Sequence, residues 1–234
     1  MYKVERAIIL AAGFGSRLLP LTEVTPKPLI NVNGKVIIER MIEALKENGI
    51  EEINIVVGYK KEKFEYLKDK YSNIRFIENK YYDTSNNISS IYAARDVLKN
   101  VIILEADILI YNSAVLNSKF EKSGYNCVYM DNGTAKEWGL KVENNTIINC
   151  DKTGGKNNWQ LYGISRWDEE NGNKLKEHVK IEFESNKESQ LYWDDIALTK
   201  YPNEYNLGIY EMQKNDVIEI DTLEELKSID KKYI

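Results

Sequence analysis

The chain has 234 residues, of which 43% are hydrophobic and 29% charged, with a formal net charge of -5. That length and apolar content support a proper core and exclude an intrinsically disordered chain. The acidic balance argues against a nucleic-acid partner, because binders of duplexes or single strands carry a basic surplus.

In chain order, the apolar run Ala7–Ala12 predicts a buried strand. Ile38, Met41, Ile42 and Leu45 recur at helical spacing and stop at Asn48-Gly49, which predicts a C-terminal cap. Ile53–Val57 predicts a strand, Lys61–Tyr71 a helix and Ile74–Ile77 another strand. Ile88, Ile91, Tyr92 and Leu98 share one helical face, and Val101–Leu104 is a short apolar strand. This strand-helix alternation predicts a parallel sheet covered by helices.

After Asp107 the pattern changes. Cys127–Met130, Leu140–Val142, Thr146–Ile148 and Gln160–Ser165 are short runs between Asn- and Gly-rich turns, and predict antiparallel strands flanking the parallel sheet. Asp168–Phe183 predicts a helix, Val217–Ile220 a strand and Thr222–Ile229 a final helix. The reading is one domain over 1–234: a nucleotide-binding part at about 1–124 plus 206–234, and an insert at about 125–205.

Several chemistries are excluded. Cys127 and Cys150 are too few for a disulfide framework, which fits a reducing, cytoplasmic setting. No apolar run approaches the roughly 18 residues of a membrane span, and Ala7–Ala12 is too short for a signal-peptide core. The lone histidine, His178, lies in a charged stretch that reads as helix, so neither a Ser-His-Asp triad nor a multi-histidine zinc site is available.

The strongest local signal is Ala11-Ala12-Gly13-Phe14-Gly15-Ser16-Arg17-Leu18, directly behind the first strand. Glycines there let backbone N–H groups approach and cradle phosphates. A dinucleotide loop needs a third glycine where Arg17 and Leu18 stand, and a P-loop needs Gly-Lys-Ser/Thr. Here an arginine follows, and then Thr25-Pro26-Lys27-Pro28, so Arg17 and Lys27 can reach one polyphosphate. Asp107 stands just past a predicted strand, where ligands of open α/β sheets bind. Asp221 ends another predicted strand. It is either a second site carboxylate or the cap of the last helix, since Asp221-Thr-Leu-Glu224 reads like a capping box.

Leu10–Leu18 together with Thr25–Pro28 resembles the signature of the sugar-phosphate and cytidylyl nucleotidyltransferase superfamily. Ile55–Tyr59, Asn86-Asn87, Ser90, Glu137-Trp138, Leu191–Asp194, Tyr210 and Glu219-Ile-Asp221 are similar to bacterial CTP:phosphocholine cytidylyltransferases. The resemblance implies an α/β, Rossmann-like, mostly parallel sheet with an antiparallel acceptor-binding insert. It implies Mg2+-dependent transfer of CMP from CTP to phosphocholine with release of pyrophosphate, by a monomer or homodimer. Arg17 and Lys27 would be catalytic, and Asp107 and Asp221 would hold the metal. Leu10, Ala11, Ala12, Gly13, Gly15, Ser16, Asn79, Asn86, Asn87, Ser90, Glu105 and Ala106 would bind the nucleotide, although the asparagines can equally serve loop hydrogen bonds and a helix cap.

All four tryptophans, 138, 159, 167 and 193, fall in the middle segment with carboxylates beside three of them. Aromatic faces with nearby carboxylates suit a quaternary ammonium, which donates no strong hydrogen bond. Trp138, Tyr192, Trp193 and Asp194 are therefore the expected acceptor contacts; the alternative is that the tryptophans are core. Three other functions stay open: a cytidylyltransferase for 2-aminoethylphosphonate, phosphoethanolamine or a phosphorylated amino-acid amide, a sugar-1-phosphate nucleotidyltransferase, or an inactive regulatory subunit. A primary ammonium would favour Asp194 and Asp195 over a ring cage.

Overall fold

The computed structural model describes residues 1–131 and 137–234, together with the backbone of a short strand at Thr134–Ala135. The first strand, β1 (Arg6–Ala11), pairs in parallel on both sides, with β2 (Glu52–Val57) and with β4 (Val101–Glu105). A strand with two partners and helices on both faces must be apolar where it is covered, and β1 is from Ala7 onward. β3 (Ile74–Glu78) extends the parallel block beyond β2.

The side chains of β1 alternate between two cores. Ala7, Ile9 and Ala11 face α1 (Ile37–Glu47) and α2 (Tyr66–Lys70), whereas Ile8 and Ala12 face α3 (Ile88–Ala93) and α4 (Glu169–Lys180). Helix α1 buries Ile37, Ile38, Met41, Ile42 and Leu45, each worth about 1.5–3 kcal/mol when fully removed from water. It stops at Asn48, whose N–H donates to the carbonyl of Leu45, and Gly49 follows at φ 72° and donates its N–H to the carbonyl of Lys46, as the spacing predicts. The helix expected over Lys61–Tyr71 is broken: a 3-10 turn at Lys61–Phe64 precedes α2. In α4, Gly172 lies against the carbonyl of Leu98, where a Cβ would come within 1.9 Å, so only glycine lets the helix dock there.

Past β4 the short strand β5 (Ile108–Ile110) leads into β6 (Gly124–Tyr129), β7 (Gly139–Glu143), β8 (Thr146–Asp151) and β9 (Trp159–Trp167). These continue the sheet as predicted. β9 pairs antiparallel with β4, so the central order is β8-β7-β9-β4-β1-β2-β3, with β6 also on β9. β5 escaped the sequence pattern, and so did β10 (Gly208–Glu211), which pairs in parallel with β6. β11 (Val217–Glu219) does not join the central sheet. It pairs antiparallel with β5, placing Glu219 opposite Ile108. That ladder, closed by the N–H of Ile220 donating to the carbonyl of Asp107, draws the end of the chain to the carboxyl end of β4. The last helix, α5 (Leu223–Ile229), begins with Thr222 as its cap.

Candidate active site

The parallel strands end together, and the ends of β1 and β4 frame a cleft. Leu10, Ala11, Ala12, Gly13, Gly15 and Ser16 line one side, and Glu105, Ala106 and Asp107 the other. Gly15 sits at φ 63°, and a Cβ there would press on Lys27 Cβ at 3.0 Å and Thr22 Cγ2 at 3.1 Å. Glycine thus lets the loop turn and lets Lys27 lie close beneath it. The hydroxyl of Thr22 donates to the carbonyl of Gly15, tying the two segments. The N–H groups of Gly13, Phe14 and Gly15 make no hydrogen bond to other described residues. Phe14 anchors the loop's tip on Tyr59 and Tyr82, at ring distances of 5.0 and 5.4 Å.

Lys27 is held in a 3-10 turn by its two flanking prolines, and its side chain is only 11% exposed. Its Nζ lies 3.3 Å from Asp107 Oδ2 and 3.2 Å from Asp221 Oδ1. Arg17 reaches the same oxygen of Asp221 at 2.7 Å, but its side chain is 66% exposed and free to turn toward a ligand. The four residues expected to do the chemistry therefore meet at one point.

Asp221 is not the helix cap. Thr222 accepts from the N–H of Glu225, and the Glu225 carboxylate accepts from the N–H groups of Asp221 and Thr222, which completes the capping box one residue later than its reading from sequence. The Asp221 carboxylate is left to the cleft. Glu219 joins it: carboxylate oxygens of Asp107, Glu219 and Asp221 lie within 4.8 Å of one another. Residues two apart on an extended strand share a face, so the Glu219-Ile-Asp221 spacing carried this signal in the sequence. Burial, together with Asp107 and Asp221, raises the Glu219 pKa to about 9. Burial and the same crowding by Asp107 and Asp194 push Glu105 well above the usual carboxylate range.

Asp107 Oδ1 is buried with no hydrogen-bond partner among the described residues. An unpartnered carboxylate oxygen within a three-carboxylate cluster is the donor set of a hard divalent cation. The residues therefore fit a metal.

A second cavity opens from the first, sharing Arg17, Asn87, Glu105, Asp107 and Asp221 with it. Its far wall holds Trp138 and Tyr192, whose rings meet edge to face at 5.7 Å, with Asp194, Glu137, Leu161 and Gly163 around them. Asp194 is 8% exposed, and burial raises its pKa to about 7. Gly163 leaves room for Glu105, since a Cβ there would meet Glu105 Cβ at 2.7 Å. Leu161 and Gly163 escape any single-sequence motif, because they reach the cavity only through the pairing of β9, whereas Glu137 arrives beside Trp138.

Three expectations for side chains do not hold. Trp193 is 2% exposed and faces the core between Tyr125 and Trp167, while its indole N–H donates to Glu105. It supports the wall from behind and does not line the cavity. The rings that do line it are Trp138 and Tyr192. Asn79 is 1% exposed and braces its own turn, donating to Ser89 and Ser90 and accepting the N–H of Tyr81. Asn86 is occupied with Gln190 and the N–H of Asn87 and does not line the cleft among the described residues. Asn87 and Ser90 do line it, with Asn87 Nδ2 on Glu105.

Residues 7–142 match the family model of the MobA-like NTP transferase domain. The chain is 36% identical over 230 residues to a 2-aminoethylphosphonate cytidylyltransferase of Lancefieldella rimae, covering 97% of this chain and 93% of that protein. It is 36% identical over 225 residues to a choline-phosphate cytidylyltransferase of Streptococcus pneumoniae, covering 96% of each. The solved structure of CTP:phosphocholine cytidylyltransferase from Streptococcus pneumoniae superposes with a TM-score of 0.89 at 35% identity, covering 98% of this chain and 99% of that one. Among the described residues no helix is long and apolar enough to cross a membrane. The chain belongs to the MobA-like NTP transferase family, and it is a nucleotidyltransferase of the cytidylyltransferase type.

Proposed function

We propose that the protein transfers CMP from CTP to phosphocholine, giving CDP-choline and pyrophosphate, with Mg2+ as the divalent ion. The observation that carries this reading is the contiguity of the two cavities. The glycine loop with Arg17 and Lys27 opens directly onto an aromatic pair beside the Asp194 carboxylate, one oxygen of which is buried without a partner among the described residues.

CTP lies along the loop, its phosphates against the N–H groups of Gly13, Phe14 and Gly15. Asn87 and Ser90 face its ribose and base. Arg17 leaves Asp221 for the β- and γ-phosphates. An acceptor phosphate is largely dianionic near neutrality, because its second pKa is about 6, so the reaction needs no general base. One of its oxygens forms a bond to the α-phosphorus while the bond from that phosphorus to the bridging oxygen of pyrophosphate breaks in line. Lys27, anchored between two aspartates, is placed where negative charge grows on the α-phosphoryl group. Asp107 and Asp221, with Glu219 beside them, would hold Mg2+, which would supply Lewis acidity toward the phosphate oxygens.

The acceptor's trimethylammonium group faces Trp138, Tyr192 and Asp194. A second reading, a primary-amine acceptor such as 2-aminoethylphosphonate, draws on the unpartnered buried oxygen of Asp194. It is weakened because Asp195, the other carboxylate such a group would use, is already bound to Lys152 at 2.8 Å.

The test is pyrophosphate release from CTP with phosphocholine, 2-aminoethylphosphonate, phosphoethanolamine and glucose-1-phosphate. Phosphocholine should have the highest kcat/KM, and Trp138→Ala or Tyr192→Ala should raise its KM about tenfold or more, the scale of a desolvated cation–π contact, with kcat kept. A primary amine in first place would move the acceptor assignment, and glucose-1-phosphate in first place would overturn the cation pocket.

The pH dependence gives a separate check. The ionised form of Asp194 attracts the cation, and a group with a pKa near 7 goes from about a tenth ionised at pH 6 to about nine tenths at pH 8. The phosphocholine KM should therefore fall as pH rises across that window. Asp194→Asn should flatten the part that exceeds phosphate ionisation. Identical profiles for the two proteins would remove Asp194 from the pocket.

A further inference from the structure

We propose that Lys152 is a positioning residue that sets acceptor specificity. It neutralises Asp195 behind the aromatic pair and braces both rings, so that the acceptor's cation meets two fixed rings and the one carboxylate that lines the cavity. The inference rests on the acceptor reading above.

The Asp194-Asp195 doublet looks symmetric in sequence, and the fold makes its two members unlike. Asp195 is 3% exposed and fully engaged: both oxygens accept from Lys152 Nζ, at 2.8 and 3.0 Å. Its Oδ2 also accepts the N–H of Tyr192 at 3.1 Å, and its Oδ1 accepts the Thr199 hydroxyl at 3.0 Å. Asp194, its neighbour, faces the cavity with one buried oxygen unpartnered.

Lys152 reaches both parts of the wall at once. Its ammonium lies 4.6 Å from the Trp138 ring centroid and 5.4 Å from that of Tyr192. It does not line the cavity that both rings line. The brace begins in a turn: Asp151 Oδ1 accepts the N–H and the hydroxyl of Thr153, which sets the backbone on either side of Lys152. From there the chain of contacts runs through Lys152 to Asp195 and on to the N–H of Tyr192.

Two consequences separate this role from general support of the fold. Without the ammonium, Asp195, which does not itself line the cavity, keeps a negative charge behind the rings with only the Tyr192 N–H and the Thr199 hydroxyl as donors among the described residues. That uncompensated charge favours a compact primary ammonium over a bulky trimethylammonium, whose charge stays farther from it. The rings also lose their brace, which weakens the contact a trimethylammonium depends on. Lys152→Met should therefore change the acceptor KM and the choice of acceptor, and leave the nucleotide alone.

The experiment is steady-state kinetics of wild type, Lys152→Met and Lys152→Arg with phosphocholine, with phosphoethanolamine and with CTP as the varied substrate. Lys152→Met should raise the phosphocholine KM about tenfold, the scale of a lost cation–ring brace, with kcat and the CTP KM within about twofold. The kcat/KM ratio of phosphocholine to phosphoethanolamine should fall by at least that factor. Lys152→Arg should restore both, since a guanidinium pairs with a carboxylate bidentately and stacks on rings. A phosphocholine KM and an acceptor ratio unchanged in Lys152→Met would overturn the proposal while leaving the acceptor reading intact. An equal rise in the CTP KM would overturn it in favour of general support of the fold. A wild-type enzyme silent with both amino acceptors would sink this proposal and the acceptor reading together.

Discussion

Lys27→Ala should lower kcat by a factor of roughly 100 to 1000, the usual cost of removing one preorganised donor from a charge-stabilising site. The cation is fixed before substrate arrives. Two prolines set its backbone, the loop at Gly15 closes over its stem, and Asp107 and Asp221 hold its ammonium. A group so placed loses little freedom when the phosphoryl charge develops, so its contribution appears in kcat more than in either KM. Lys27→Arg should not restore the rate, because a planar guanidinium needs more room than a seat only 11% exposed provides. The thermal transition should be recorded alongside, since the variant leaves Asp221 with Arg17 alone and Asp107 without an ion-pair partner among the described residues. A kcat within fivefold of wild type in a folded Lys27→Ala protein would remove Lys27 from the catalytic machinery.

Asp107→Asn should weaken divalent-ion dependence at least as strongly as losing an outer-shell partner does, by about 100-fold in the Mg2+ concentration for half-maximal activity. Three carboxylates within 4.8 Å repel one another, and that repulsion already raises the Glu219 pKa, with burial, to about 9. A bound divalent cation relieves it. Asparagine in place of Asp107 removes one charge and one of the two oxygens, so the cluster loses both attraction and geometry. Mg2+ titration of pyrophosphate release, at saturating CTP and acceptor, measures the shift. An unchanged half-saturating concentration would place the metal elsewhere.

The doubly covered parallel sheet was legible because β1, β2 and β4 bury both faces and so read as apolar runs between helical patterns, interrupted within β2 only by Asn54. The loop's place at the cleft was legible because glycines directly behind an apolar strand mark a tight turn at the strand's carboxyl end. Asp107 was legible from its place behind an apolar strand. β10 was missed because Gly208–Glu211 is too short and too mixed to show a period. Asn79 was misplaced because an asparagine's hydrogen bonds depend on neighbours, here Ser89 and Ser90, that a linear reading does not rank.

The sequence alone determined what depends on local pattern: the parallel sheet, the glycine loop behind its first strand, and the pool of cations and carboxylates from which a site could be built. Only the tertiary structure decided which of those residues meet. Asp107 and Asp221 come together because β11 pairs with β5, and Glu219 enters with them on the same strand. Trp138 faces a cavity while Trp193, equally aromatic in sequence, is enclosed by Tyr125 and Trp167. The adjacent Asp194 and Asp195 differ because Lys152 reaches one of them and not the other. Local pattern is set by the period of a helix or a strand. The meeting of residues distant in sequence is set by sheet register and packing, and burial then acts on whatever charges that packing has brought together.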